Sequence, residues 1–223
     1  FTLIALSVLS GSAFVLGFDL LKNWYDIWII LVSYLGFFVA YLIIFILFLL
    51  IYTFCISMKK EVKPSRFMHS LIRRVCELLI QVFKIKTYFR GRELLPEEKC
   101  LYVANHCSNF DPIIAEWGFR CCDFSFIVKD SLFKVPVVRK ALHKDMHLGL
   151  DRNNNRQGLE VILKAIKLIK EDKRNIYVYP EGTRSKNGQL AEFHSGTFKI
   201  AEKTKAPIVV IVSMNTEEIK RRW

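Results

Sequence analysis

Ile176-Tyr177-Val178-Tyr179-Pro180-Glu181-Gly182-Thr183-Arg184-Ser185 is a short apolar run that breaks into a polar turn. β-branched and aromatic residues followed by Pro and Gly read as a buried strand whose carboxyl end opens into a loop. Upstream, Leu101–Ala104 runs in the same way into Asn105-His106-Cys107-Ser108-Asn109-Phe110-Asp111. Working outward, residues 87–89, 124–128, 147–150 and 207–212 also read as strands. The helical pattern predicts helices over Asp111–Phe119, Arg156–Lys170 and Gly196–Lys203, with Leu159, Ile162, Ile166 and Ile169 on one face of the second. Pro96, Glu97, Glu98 and Lys99 mark a surface loop. This alternation predicts an α/β layered domain, a mixed and largely buried sheet flanked by helices. Open α/β sheets collect ligands at the carboxyl ends of their strands, so the fold itself would bring two distant motifs together.

Charge divides the chain of 223 residues unevenly. Residues 1–58 carry Lys22 against Asp19 and Asp26, whereas the rest holds 32 basic and 19 acidic residues. A nearly uncharged, aromatic-rich leader before a basic body points to a membrane and an anionic partner. Nucleic acid is the rival partner for a basic body. The chain has no zinc-finger spacing, no aromatic RNA-binding signature and no helix-turn-helix pattern, which argues against it. The six Cys include no CxxC pair, and Cys121 adjoins Cys122, so they read as reduced thiols of a cytoplasmic domain rather than a disulfide framework. Cys107, beside His106, is the one that invites a reading as metal ligand or nucleophile. No metal grouping is expected.

Residues 27–57 are almost wholly apolar. As a helix they would run ~46 Å at ~1.5 Å per residue, beyond the ~30 Å hydrocarbon core of a bilayer. Because every face is apolar, a buried core helix is excluded and a membrane span is expected. Residues 1–18 form a shorter apolar stretch broken by Ser7, Ser10, Gly11, Ser12 and Gly17. A first span of a hairpin, a re-entrant segment and a signal-peptide remnant compete, and the hairpin is favoured because no basic n-region precedes the stretch. Lys59, Lys60, Lys63 and Arg66 follow the long span, which places everything after residue 58 on the cytoplasmic side, with Trp24, Tyr25 and Trp28 at the opposite interface. Residues 59–85 read as a basic amphipathic connecting helix, with Phe67, Leu71, Val75, Leu78 and Val82 at helical spacing. An ordinary domain-capping helix and an interfacial one fit it equally. The expected organisation is an anchor over 1–58, this connector over 59–85 and a catalytic domain over 86–223. Further sequence is expected beyond both Phe1 and Trp223.

Two motifs carry chemistry. Imidazole is the side chain suited to proton transfer at neutral pH, so His106 can take a proton from a hydroxyl, while Asp111, folded back by a turn, can accept from the other ring nitrogen and fix the tautomer. The competing reading makes His106 a structural histidine and Asp111 a helix N-terminal residue before Pro112. A His and an Asp five positions apart do not decide between these. No GxSxG elbow occurs, so a serine hydrolase is not expected. In the second motif Gly182 lets the backbone approach a ligand, Thr183 can donate, and Arg184 matches a phosphate with two parallel donors. Glu181 could hold a glycerol hydroxyl or anchor the loop through an ion pair.

Taken together, His106 to Asp111 and Glu181-Gly182-Thr183-Arg184 resemble the glycerolipid acyltransferase family, typified by the 1-acylglycerol-3-phosphate acyltransferases. The resemblance runs from about Phe83 to Val212. It implies His106 as general base with Asp111 as partner, and Glu181 to Arg184 as the acceptor-binding turn. More loosely, Leu148-Gly149-Leu150-Asp151-Arg152 resembles a family strand ending near the phosphate, and the segment led by Lys129 resembles another, which makes Arg152 and Lys129 substrate contacts. His194 stands where the family often has lysine, and Val210 where it often has a second proline. The implied reaction moves an acyl group from acyl-CoA or acyl-carrier protein to lysophosphatidic acid, giving phosphatidic acid, with neither metal nor redox cofactor. The implied partners are membrane lipids, the lysophospholipid and the donor. Another lysophospholipid or an amino-acid-derived lipid is the nearest alternative acceptor. A non-catalytic lipid-binding scaffold is the alternative from another class, and possession of both His106 and Asp111 speaks against it.

Overall fold

The computed structural model describes residues 2–17, 27–56, 64–185 and 189–221. The chain separates into two compact units, Phe1–Ser57 and Met58–Trp223.

The first unit is a pair of helices, α1 (Thr2–Gly17) and α2 (Ile27–Phe54). With neither Pro nor a charge to interrupt it, α2 runs 28 residues, ~42 Å at ~1.5 Å per residue, and is long and apolar enough to cross a bilayer. The small residues that break up the first apolar stretch form its contact with α2. Ser10 Oγ lies 2.6 Å from Tyr41 Oη, Ser12 Oγ lies 2.8 Å from Tyr34 Oη, and Phe14 meets Phe37 edge-on. Gly11 sits against the Tyr34 ring, where any side chain would collide. From Ser10 to Ser12 the hydroxyl partner on α2 falls from Tyr41 to Tyr34, as in an antiparallel pair. Small residues and hydroxyl pairs join helices where lipid supplies no hydrophobic drive between them. The residues that suggested an orientation, Asp19, Lys22, Trp24, Tyr25, Asp26, Lys59, Lys60 and Lys63, lie outside the described residues.

In the second unit, five strands form one sheet in the order β3-β2-β4-β1-β5: β1 (Leu101–Ala104), β2 (Phe124–Lys129), β3 (Leu148–Leu150), β4 (Asn175–Val178) and β5 (Ile208–Ile211). All four pairings are parallel, so the expectation of a mixed sheet is corrected. Each strand returns through a helical crossover, and such connections impose parallel pairing. Residues 87–89 form no strand. They alternate inward and outward as a strand would, but no neighbour pairs with them.

β1 and β4 are buried at every residue because both faces of the sheet are covered. On one face Tyr102, Phe124, Phe126 and Tyr177 make an aromatic layer under Ala115 and Phe119, the latter just past α4 (Asp111–Gly118). Tyr102 meets Phe124 at 4.8 Å between ring centroids and near right angles, a favoured aromatic geometry. On the other face Leu101, Val103, Ile176 and Val178 pack against α6 (Asn155–Lys170) and α7 (Lys199–Thr204). The inward residues of α6 are Val161, Ala165, Leu168 and Ile169, flanked by Ile162 and Ile166. Leu159, expected on that face, is exposed. A further helix, α5 (Pro136–Lys144), lies where no helical pattern was evident. Its short, basic sequence buries no residue, so hydrophobic periodicity could not reveal it.

The connector α3 (Arg66–Val82) is capped by Ser65, whose hydroxyl accepts from the Met68 amide. It packs on α4 and buries Met68, Cys76 and Ile80, and a buried polar staple ties it to the sheet. Asp145, fully buried, accepts from Arg174 Nη2 at 2.9 Å and faces His69 Nδ1 at 3.1 Å and His147 Nε2 at 3.2 Å. Burial alone would raise its pKa, but the hydrogen bonds from His147 and His69 prevail and hold it at about 2. This staple therefore contributes fully above the ordinary carboxylate range and is lost as pH falls through about 2.

Candidate active site

β1 ends at Ala104, and the chain then makes a tight turn into α4. Asp111, in the first turn of that helix, points back rather than forward. Its Oδ2 accepts from the Cys107 and Ser108 amides, both at 2.7 Å, and lies 2.9 Å from His106 Nδ1. Because a carboxylate only accepts, the proton sits on Nδ1 and Nε2 keeps its lone pair. The imidazole is stacked on the Tyr179 ring at 4.2 Å between centroids, which fixes its plane. Asp111 is buried and His106 partly exposed, the arrangement a general base requires if substrate is to reach it. Cys107 is no rival nucleophile. Burial pushes its thiol above the ordinary value and the Asp111 charge adds to this, so it is protonated at neutral pH.

The second motif is locked to the first through the backbone. Glu181, buried, accepts from the His106 amide at 2.8 Å on Oε1 and from the Ala191 amide at 3.0 Å on Oε2. The His106 carbonyl in turn accepts from the Ser185 amide at 2.7 Å. Both oxygens of Glu181 are thus engaged with amides, and among the described residues no ion pair forms to it. Its role is to hold two loops in register. Changing Glu181 to Gln would turn an amino group toward one of those amides. A loss of about 1–3 kcal/mol in stability is expected, with a parallel fall in activity. An unchanged denaturation midpoint would show that the carboxylate does not bridge the loops.

Gly182 has φ +64°, and a Cβ there would come within 3.0 Å of the His194 ring and 3.7 Å of Arg152 Nε. Only glycine lets the turn follow that path with those two side chains so near. Arg152, Thr183, Arg184 and His194 are exposed around it. Lys129 is the last residue of β2 and pairs in register with Leu150, two residues before Arg152. It stands exposed at the same carboxyl edge, and among the described residues no hydrogen bond or ion pair joins it to the dyad. Four side chains beyond those expected also shape the site. Tyr179 is the platform for the imidazole, and Asn105 ties the turn to the end of β5 through the Ser213 amide and carbonyl at 2.7 and 2.9 Å. Phe110 meets Phe83 edge-on, and His194 sits against the glycine turn. Tyr179 and Asn105 adjoin the motifs in sequence, but nothing in the residue pattern distinguished them from ordinary strand ends.

Asp111 also forms part of the wall of a cavity of about 710 Å³, lined by Phe83, Phe89, Ile114, Phe119 and Val212 among others. That is within the ~300–1,000 Å³ usual for small-molecule sites.

Residues 86–214, more than half of the chain, match the family model described as Acyltransferase. This chain belongs to the acyltransferase family. Within that family it is 33% identical over 156 residues to a chloroplastic 1-acyl-sn-glycerol-3-phosphate acyltransferase of Brassica napus, covering 69% of this chain and 44% of that one. A 1-acyl-sn-glycerol-3-phosphate acyltransferase of Borreliella burgdorferi is 30% identical over 152 residues, covering 68% and 60%. The crystal structure of the 1-acyl-sn-glycerophosphate (LPA) acyltransferase PlsC of Thermotoga maritima superposes with a TM-score of 0.56 at 26% identity, over 72% of this chain and 63% of that one. The parallel α/β sheet of this family member is thus that of the acyltransferase fold. The chain spans about half the length of the curated relatives it matches.

Proposed function

We propose that this protein is a membrane-anchored acyltransferase that esterifies lysophosphatidic acid to phosphatidic acid. The observation that carries the reading is the His106–Asp111 pair, 2.9 Å apart, fastened through Glu181 to the glycine-arginine turn. The acceptor hydroxyl gives its proton to His106 Nε2 as its oxygen attacks the acyl thioester carbonyl. Asp111, facing Nδ1, stabilises the imidazolium that forms. The tetrahedral intermediate collapses, the C–S bond breaks, and the leaving thiolate takes the proton from His106. No metal or redox step enters this sequence. Arg152 and Arg184 are the phosphate ligands, with Thr183 donating and Lys129 drawing in the anionic donor, acyl-CoA or acyl-carrier protein. The cavity beside Asp111, with Phe83, Phe89, Ile114 and Phe119 in its wall, takes an acyl chain. The relatives named for this reaction support the substrate class. The hairpin α1–α2 is the anchor, and the basic flank that follows it supports a cytoplasmic catalytic unit.

Thiol release from acyl-CoA by the full chain in detergent tests the reading. Release that depends on lysophosphatidic acid is expected. Release without acceptor would make the protein a thioesterase. No release with acyl-CoA or acyl-carrier protein across lysophospholipids would overturn the enzymatic reading in favour of a lipid-binding scaffold.

A further inference from the structure

The helix α5 buries none of its residues, and its polar side is basic throughout. At 100° per residue Arg139, Lys140, His143 and Lys144 fall within an arc of about 140°. Burial and the charges of Lys144 and Lys164 hold His143 below the ordinary imidazole value, so the cations carry the charge at neutral pH. Lys164, exposed on α6, widens the basic face. From Lys129 to Lys144 the chain has five cations and one acid, Asp130, whose Oδ1 accepts from Gln157 at 3.3 Å. Among the described residues no carboxylate pairs with Lys129, Lys134 or Arg139. In the same stretch Leu132, Val135, Val137 and Val138 are between 37% and 50% exposed.

The register of the sheet relates this face to the dyad. Phe126 pairs with Tyr177 and Tyr177 with Tyr102, so Lys129 is level with Pro180 and with Asn105, the residue before His106. Two strand spacings of ~4.8 Å put about 10 Å between Lys129 and Asn105. Residues 210–214, at the end of β5 on the opposite edge of the sheet, wall the cavity beside Asp111. An acyl thioester with its chain in that cavity and its carbonyl at His106 therefore extends its remainder across β4 toward β2, where Lys129 begins the basic stretch.

We propose that α5 and the turn before it, Lys129 to Lys144, dock the acyl donor as an acidic carrier protein, whose negative surface lies along the basic arc while its thioester arm passes over Lys129 to His106. The proposal rests on the acyltransferase reading above and fixes its donor. Shape and composition favour a protein over the other anions in reach. A nine-residue helix with exposed apolar side chains at its start is a convex surface, and apolar contacts rimmed by charge are the anatomy of a protein interface. The nucleotide of CoA calls for a concave site. α5 lines neither the cavity beside Asp111 nor the pocket formed by Arg66, Arg73 and Lys173. A bilayer surface is served by aromatic side chains at headgroup level, and α5 has none.

The test uses the full chain with two donors, palmitoyl-carrier protein and palmitoyl-CoA, and lysophosphatidic acid as acceptor. Arg139→Glu combined with Lys144→Glu is expected to raise KM for the carrier-bound donor about tenfold, with kcat and the KM for palmitoyl-CoA within about twofold of the parent. An unchanged KM for the carrier-bound donor would overturn the proposal, and so would an equal rise for both donors. Docking is read without turnover by a p-benzoylphenylalanine photocrosslinker at Val138, with Leu94, 79% exposed before β1, as control. In vesicles containing phosphatidylglycerol, a carrier adduct is expected at Val138, not at Leu94, and is lost when Arg139 and Lys144 are reversed. A phospholipid adduct or a crosslinked dimer in its place would overturn the proposal. Turnover of palmitoyl-CoA with no carrier adduct would sink the docking face and leave the acyltransferase reading. A carrier adduct on a protein that turns over neither donor would do the reverse.

Discussion

Replacing His106 with alanine is expected to lower acyl transfer by about three orders of magnitude while leaving the fold and lipid binding in place. Removing a general base leaves the acceptor hydroxyl to attack with its proton still attached, and positioned proton transfer contributes about 10²–10⁴-fold. The variant is a clean test because of how the residue is held. The connections of His106 to the second motif run through its backbone, from its amide to Glu181 and from Ser185 to its carbonyl. Alanine keeps both. Only the ring, its contact with Asp111 and its stacking on Tyr179 are lost. The measurement is acceptor-dependent thiol release beside circular dichroism of the same preparation. Activity within threefold of the parent would show that the imidazole is structural.

Asp111→Asn should cost about two to three orders of magnitude in turnover, with little change in stability. Three donors converge on Oδ2: the His106 ring and the Cys107 and Ser108 amides. An asparagine satisfies them best with its carbonyl oxygen in that place, which keeps the turn and leaves Nδ1 as the donor. What disappears is the negative charge beside the imidazolium formed during transfer. At 2.9 Å and an effective dielectric near 20, that attraction reaches several kcal/mol, the upper bound on the loss. Asp111→Ala should differ in kind. Two buried amides would lose their acceptor as well, so stability falls by about 1–3 kcal/mol in addition. Denaturation curves for the two variants separate the cases. Equal destabilisation would mean that Asn does not preserve the turn and that the charge has not been isolated.

Much of this site is legible in the sequence, for a local reason. His106 and Asp111 lie five residues apart across one turn, and Glu181 to Arg184 are contiguous, so each motif is complete within a few residues of chain. The sheet strands were legible because β1 and β4 are buried on both faces and read as unbroken apolar runs. Where reading failed, the deciding contacts were remote or did not involve burial. Residues 87–89 have the alternation of a strand but no partner, and partners cannot be read from a segment alone. The α5 helix buries none of its residues, so no periodicity marks it.

The amino-acid sequence by itself determined the apolar leader and the α/β alternation, which follow from local composition and short-range spacing, and it marked His106 and Asp111 as a candidate pair. Tertiary structure alone decided what Glu181 does. A carboxylate next to Gly-Thr-Arg looks like a ligand-binding group, and it becomes a bridge only because parallel pairing sets β1 beside β4 and brings the His106 and Ala191 amides to its two oxygens. Buried backbone donors must be satisfied, and here a carboxylate from the neighbouring loop meets that requirement.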